Sequence, residues 1–197
     1  LLRSVSTSAP PFIDVFRGRG IPLIIGGGVG LLRKDEARAV GMLFSWLFEK
    51  SHWRLDPRRA DPVIDGKDML PFAIRAWKAA VPYPLPEDIG DRLKAWKNTV
   101  LSGEFKHFTE AYQSLLTLLG YLALDPEDAN QAVIMANLGR FNTILTDYET
   151  AAMLGGNDRD WARDTAGLFE YITGHANGTY DEQIGEDLQG INAVQIT

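Results

Sequence analysis

The chain has 197 residues, enough to bury one sizeable core, and its hydrophobic and charged fractions of 45% and 23% place it with globular proteins. Its 20 basic and 26 acidic side chains leave a formal charge of −6. That balance argues against a dedicated nucleic-acid module, since phosphate binding draws on counterion release at basic surfaces, though it leaves room for local basic patches. No apolar run approaches a membrane span, no signal-peptide pattern is present, and zero cysteines exclude disulfides and thiolate metal sites, so a cytoplasmic setting is expected.

Leu1-Leu2-Arg3 opens the chain as a short strand, and Ser8 can cap a helix that begins at Pro10 or Pro11 and carries Phe12, Val15 and Phe16. Gly18 and Gly20 stop it. Ile21, Leu23, Ile24 and Ile25 then form a continuous apolar run ending in Gly26-Gly27-Gly28-Val29-Gly30, which is how a buried parallel strand reads. From Lys34 onward Ala37, Val40, Leu43, Phe44, Leu47 and Phe48 recur at helical spacing. Residues 1 to 48 therefore read as strand, helix, strand, helix, the pattern of a parallel sheet with covering helices.

Residues 50 to 71 lack a period and hold Pro57, Pro62, Gly66 and Pro71, so they read as a long exposed excursion. Phe72, Ile74, Ala76, Trp77 and Ala80 predict a short helix ended by Pro82-Tyr83-Pro84-Leu85-Pro86. A helix from near Glu87 carries Ile89, Leu93, Trp96 and Val100, and Phe105, Phe108, Tyr112, Leu115, Leu116, Leu119 and Leu122 hold a long apolar stripe. Asp125-Pro126-Glu127-Asp128 is a capped start for a helix bearing Ile134, Leu138, Phe141, Leu145 and Tyr148 up to Gly155-Gly156. Asn157 can cap a last helix with Trp161, Thr165, Leu168, Phe169 and Ile172, and after an acidic loop Ile191, Val194 and Ile196 return to strand character. The expected architecture is mainly α, with a helical bundle over 49 to 190 inserted into a small parallel α/β sheet built from 1 to 48 and 191 to 197. A start on Leu1-Leu2 without methionine and an end on Val194-Gln195-Ile196-Thr197 suggest a fragment of a longer protein.

Few residues offer chemistry. The loop at 26 to 30 suits an anion at a helix N-terminus, yet no Gly-Lys-Ser/Thr closes it as a P-loop and Leu31 stands where a dinucleotide fingerprint needs its third glycine. A tight turn, a contact with nucleic-acid backbone and a nucleotide cofactor all remain open. His52, His107 and His175 lack metal-ligand spacing, and no Gly-x-Ser-x-Gly elbow is present. Acidic pairs such as Asp147 with Glu149, or Asp158 with Asp160, read as helix-capping and solvated groups. Basic residues gather at Arg54, Arg58 and Arg59 and, on one helix, at Arg92, Lys94 and Lys97, either as solvated faces or as phosphate contacts.

Leu2-Arg3-Ser4, Phe12 and Phe16, Gly20-Ile21-Pro22, Ile25 with Gly27-Gly28, then Lys34 and Glu36 together resemble the second motor domain of superfamily 1A DNA helicases of the UvrD/Rep/PcrA type. Val194-Gln195-Ile196-Thr197 resembles the strand that in complete members leads into a Val-His-x-x-Lys-Gly-Leu-Glu motif. Asn137-Leu138-Gly139-Arg140-Phe141 and Asp147-Tyr148-Glu149 resemble a helix of the domain called 2B that interrupts motor domain 2A in this family.

The resemblance implies a 2B domain with flanking strands of 2A, taken from an ATP-dependent helicase that steps 3′ to 5′ along single-stranded DNA and separates duplex in repair or recombination. It implies ATP and Mg in the parent but no cofactor here, because the Walker A and B motifs, the Gln-x-x-Tyr-Arg-Ser segment and the arginine finger are absent, so no residue is expected to be catalytic. Arg3, Ser4, Gly27, Gly28 and Lys34 become candidates for contact with single-stranded backbone, the helix N-terminus adding its dipole. Single-stranded and junction DNA, the missing 1A, 1B and 2A parts and an accessory protein on 2B are the implied partners, with no membrane. Three positions depart from the family pattern: Val5 stands where asparagine is frequent, Lys34 where arginine is usual, and Asp88-Ile89-Gly90 where a Gly-Ile-Gly turn grips duplex. An aspartate there would repel phosphate. The helical portion can alternatively be a regulatory or protein-interaction module, with hinges near 49 to 71 and 178 to 191. A third reading, an unrelated dinucleotide-binding enzyme, rests on the glycine loop alone.

Overall fold

A computed structural model of the chain describes residues 15–16, 19, 21, 23–25, 31–54, 63–154, 167–168, 171–172 and 194–196. Its elements are β1 (Leu23–Ile25), α1 (Asp35–Leu47), β2 (His52–Trp53), β3 (Ile64–Asp65), α2 (Met69–Ala80), α3 (Ile89–Leu101), α4 (Phe108–Leu118), α5 (Ala129–Leu154) and β4 (Val194–Ile196). The described chain is mainly helical, as the periodicity predicts. The expected strand at Leu1-Leu2-Arg3, the start of the helix through Val15 and Phe16, the loop at 26 to 30 and the cap at Asn157 lie outside the described residues.

Two short sheets accompany the helices. β1 and β4 pair in parallel, Leu23 opposite Val194, Ile24 opposite Gln195 and Ile25 opposite Ile196, so strands from opposite ends of the chain lie side by side. The second sheet was not expected: β2 and β3 pair antiparallel, with His52 opposite Asp65 and Trp53 opposite Ile64. Within residues 50 to 71, read as an exposed excursion, the ladder corrects that reading at Trp53, which is only 2% exposed, while residues 55 to 62 lie outside the described residues. Its ring lies over Gly41 of α1, where an added Cβ would come within 2.8 Å of the indole. The absence of a side chain at Gly41 is therefore what lets the indole pack onto the helix.

α1 is the central helix. Asp35 and Glu36 sit in its first turn, where negative charge meets the positive end of the helix dipole. It is buried on nearly every side and packs most extensively against α2. Its end follows the Schellman pattern, in which the Glu49 N–H reaches the Trp46 carbonyl at 3.1 Å and the Lys50 N–H reaches that of Ser45 at 3.0 Å. The residue in the left-handed conformation, normally glycine, is Glu49, with φ 54°.

The remaining helices form because their apolar residues recur on one face. α2 buries Met69, Ala73, Ala76 and Trp77, tolerates Pro71 in its first turn, and ends at extended Val81 before Pro82. α3 buries Ile89, Leu93, Trp96 and Val100, the four positions the sequence pattern selects. α4 is shorter than its predicted stripe: it stops at Leu118, Gly120 adopts φ 80°, and Leu122 is 79% exposed instead of packed. α5 starts where Asp128 Oδ1 accepts the N–H groups of Asn130 and Gln131 at 3.0 and 2.9 Å.

Three helices converge on Phe44 of α1. Its ring meets Trp96 of α3 at 6.3 Å, Tyr112 of α4 at 6.2 Å and Phe141 of α5 at 5.8 Å, in the edge-on and tilted arrangements aromatic quadrupoles favour. The Tyr112 hydroxyl donates to the Leu138 carbonyl at 2.9 Å, and burial raises its pKa well above the ordinary value. α1 is thus packed within the same core as α2 to α5, with no break in packing at residue 48. Among the described residues no helix is long and apolar enough to cross a membrane.

Candidate functional site

Of the residues proposed to touch single-stranded backbone, Arg3, Ser4, Gly27 and Gly28 lie outside the described residues. Lys34 is half-buried at the N-cap of α1 in extended conformation, φ −74° and ψ 134°, and its carbonyl accepts the Arg38 N–H at 2.7 Å. It adds a cation beside the acidic first turn of a helix already favourable to negative charge.

The three basic residues of α3 do not form one free patch. Arg92 Nε donates to both carboxylate oxygens of Asp88 at 2.9 Å, and Lys94 Nζ donates to Asp91 at 2.9 Å. These pairs are exposed and lie within one helix, so they add little stability, but each cation already has a carboxylate beside it. Lys97 differs. Its side chain is 15% exposed, Nζ donates to the Trp46 carbonyl at 2.9 Å, lies 4.8 Å from the Trp46 ring centroid and stands 3.3 Å from Glu49 Oε1. The ammonium therefore covers the C-terminal end of α1, where the negative end of the helix dipole favours a cation. Of the other basic group, Arg54 is half-buried, and Arg58 and Arg59 lie outside the described residues.

Two carboxylates are buried, which the sequence reading did not foresee. Glu36 is 6% exposed, and its Oε1 accepts a hydrogen bond from Asn137 Nδ2 at 2.6 Å. Burial raises its pKa above the ordinary carboxylate value, opposed by hydrogen bonds from its own backbone N–H and from Asn137 and by the charge of Lys34. The sequence did carry a signal for this pair. Asn137 falls on the apolar face between Ile134 and Phe141, and a polar residue at such a place needs a buried partner.

Glu149 of α5 is 7% exposed and caps α4 from outside that helix, taking the Phe108 N–H at 2.5 Å and the Thr109 hydroxyl at 3.0 Å. Capping was the role expected of the Asp147–Glu149 pair, although this carboxylate is buried and not solvated. His107 Nδ1 approaches it at 3.7 Å. Glu110 closes the same helix end by accepting the backbone N–H groups of Lys106 and His107 at 2.8 and 3.2 Å, chiefly the first of which holds its carboxyl below the usual pKa. All of this is helix-end and core chemistry. Among the described residues no three histidine or acidic side chains gather as a metal site would require.

No protein-family model, curated protein or solved structure matches the chain.

Proposed function

We propose that the chain is part of an ATP-dependent DNA helicase of the UvrD type, comprising the 2B domain and the strands of motor domain 2A that flank it. The observation that supports this reading is the parallel pairing of Leu23–Ile25 with Val194–Ile196 around an otherwise mainly helical span. A helical domain inserted between two strands of one parallel sheet has that order, and it coincides with the sequence resemblance at both ends. In this reading the parent binds ATP and Mg, steps 3′ to 5′ on single-stranded DNA and separates duplex or junction DNA in repair or recombination. The chain itself carries none of the ATPase motifs.

The test is the gene sequence on either side. Walker motifs upstream and a Lys-Gly-Leu-Glu segment directly after Thr197 are expected, together with ATP-driven strand separation by the parent and no ATPase in this chain alone. A gene lacking both flanking motifs overturns the reading.

A second reading has a specific observation in its favour. Arg92 and Lys94 are paired with Asp88 and Asp91, and Lys97 is turned onto α1, so α3 offers no stripe of open cations. That arrangement favours a regulatory or protein-interaction role for the helical part over a grip on duplex. A nucleic-acid affinity that falls steeply with salt and collapses when Arg92, Lys94 and Lys97 are reversed would count against it.

A further inference from the structure

Beside the end of α1 the surface opens into a groove of about 560 Å³, within the range of small-ligand clefts. Three segments build it: Trp46 of α1 with Glu49, Lys50 and Ser51 just beyond it, Asp65 of β3 with Gly66 and Lys67 after it, and Lys97 of α3. Lysines outnumber carboxylates on its walls by three to two.

Two features of the backbone hold the groove in shape. The Gly66 N–H donates to the Ser51 carbonyl at 2.8 Å, and a Cβ at Gly66 would stand 2.6 Å from the Lys50 carbonyl oxygen, so the two walls meet only because position 66 has no side chain. On the other wall Glu49 keeps φ 54° at a position where glycine would carry no strain, and backbone strain of this kind concentrates at functional sites.

The charges are matched only in part. Lys97 is fixed by the Trp46 carbonyl and the indole face, and it pairs with Glu49, whose side chain is 76% exposed. The carbonyls at the end of α1 oppose an anion, and the Lys97 ammonium stands over the Trp46 carbonyl. Lys67 is exposed on the facing wall. A carboxylate held by a strained backbone at 3.3 Å from a fixed ammonium occupies the place an incoming oxyanion would take.

We propose that this groove binds a phosphate oxyanion between Lys97 and Lys67, displacing the Glu49 carboxylate from the Lys97 ammonium. The inference does not rest on the helicase reading, since it needs only the groove. The phosphate can come from a nucleic-acid backbone or from a free phosphorylated small molecule, and the open shape admits both.

The experiment titrates the whole chain with pyrophosphate while following the backbone amide resonances of Ser51, Gly66 and Lys67. Glu49→Gln, Lys67→Glu and Lys97→Met are compared. Shifts confined to these amides are expected, with affinity raised several-fold by Glu49→Gln, which removes the competing charge, and lowered about tenfold by Lys67→Glu, which reverses one phosphate contact. Lys67 is exposed, so that variant keeps its fold, and Lys97→Met is read only where its spectrum is otherwise unchanged. A fluorescent oligothymidylate that pyrophosphate displaces identifies the nucleic-acid source, whereas pyrophosphate binding that the oligonucleotide does not compete for identifies the small molecule. Both results uphold the site. Absent shifts, shifts spread over lysines elsewhere, or an affinity indifferent to Glu49→Gln and Lys67→Glu overturn it.

Discussion

Asn137 of α5 donates a 2.6 Å hydrogen bond to the carboxylate of Glu36 in the first turn of α1, joining residues 101 positions apart inside the core. The pair ties the start of the central helix to the first half of α5, and the folded protein holds Glu36 in a setting that disfavours its charge.

Stability should therefore depend on the Glu36 proton. Unfolded, the carboxyl titrates at its ordinary value of 4.5, and folded it keeps its proton to higher pH. Between those two values the unfolded chain binds fewer protons, so stability falls as pH rises and then levels off above the folded pKa. Urea denaturation across this window should show Glu36→Gln removing that fall while its amide oxygen still accepts from Asn137. Glu36→Ala leaves the Asn137 amide unpartnered and should cost about 1–3 kcal/mol. An unchanged slope in Glu36→Gln would assign the pH dependence to other groups.

The caps of α4 should separate by burial and by pH. Glu149→Ala strips an acceptor from the Phe108 N–H and the Thr109 hydroxyl at a buried helix end, and a loss of about 1–3 kcal/mol in chemical denaturation is expected. Glu110 is fully exposed, and its lowered pKa gives stability that is present above the ordinary 4.5 and lost as pH falls through the folded value. Glu110→Gln should flatten part of that acid-side loss.

Three glycines should respond to alanine with different signs. Gly66→Ala drives a Cβ to 2.6 Å from a backbone carbonyl that cannot yield, and Gly41→Ala drives one to 2.8 Å from the buried Trp53 ring, so both should lower the unfolding free energy by about 1–3 kcal/mol through overpacking. At Gly41 this outweighs the gain in helix propensity. Gly139 is exposed within α5 with nothing within 4 Å of the added carbon, and Gly139→Ala should stabilise by about 1 kcal/mol. Loss of stability at Gly139 would show that something covers that face.

Arg92→Ala and Lys94→Ala should change stability by less than about 0.5 kcal/mol, since both residues make exposed pairs within one helix. Filter binding to single-stranded and duplex DNA should move by less than about twofold, because each cation removed had its charge largely met by Asp88 or Asp91. A tenfold loss of binding would restore these residues as a phosphate contact.

The positions of the helices were legible because their buried faces recur at helical spacing, as Ile89, Leu93, Trp96 and Val100 show on α3. The stripe through Leu122 misled for a physical reason. Gly120 takes the left-handed conformation and ends the helix first, so later apolar residues no longer share its face. Trp53 carried no periodic signal, since a two-residue strand is too short for one, and its burial depends on a bare Gly41 on another element. The pairing of β1 with β4 was readable from the two apolar runs, whereas the β2–β3 ladder was hidden among prolines and charges. For the candidate site, residue type suggested a basic patch at Arg92, Lys94 and Lys97. Only three dimensions reveal that two of these face aspartates on their own helix and the third lies against an indole.

The register that sets Leu23 opposite Val194 also orders events in time. When the chain emerges from a ribosome, α1 through α5 are complete before the second strand of that pair exists, and their contacts close much shorter loops. The helical core can thus assemble before this parallel pair forms, and β1 waits without its partner until all five helices have been made.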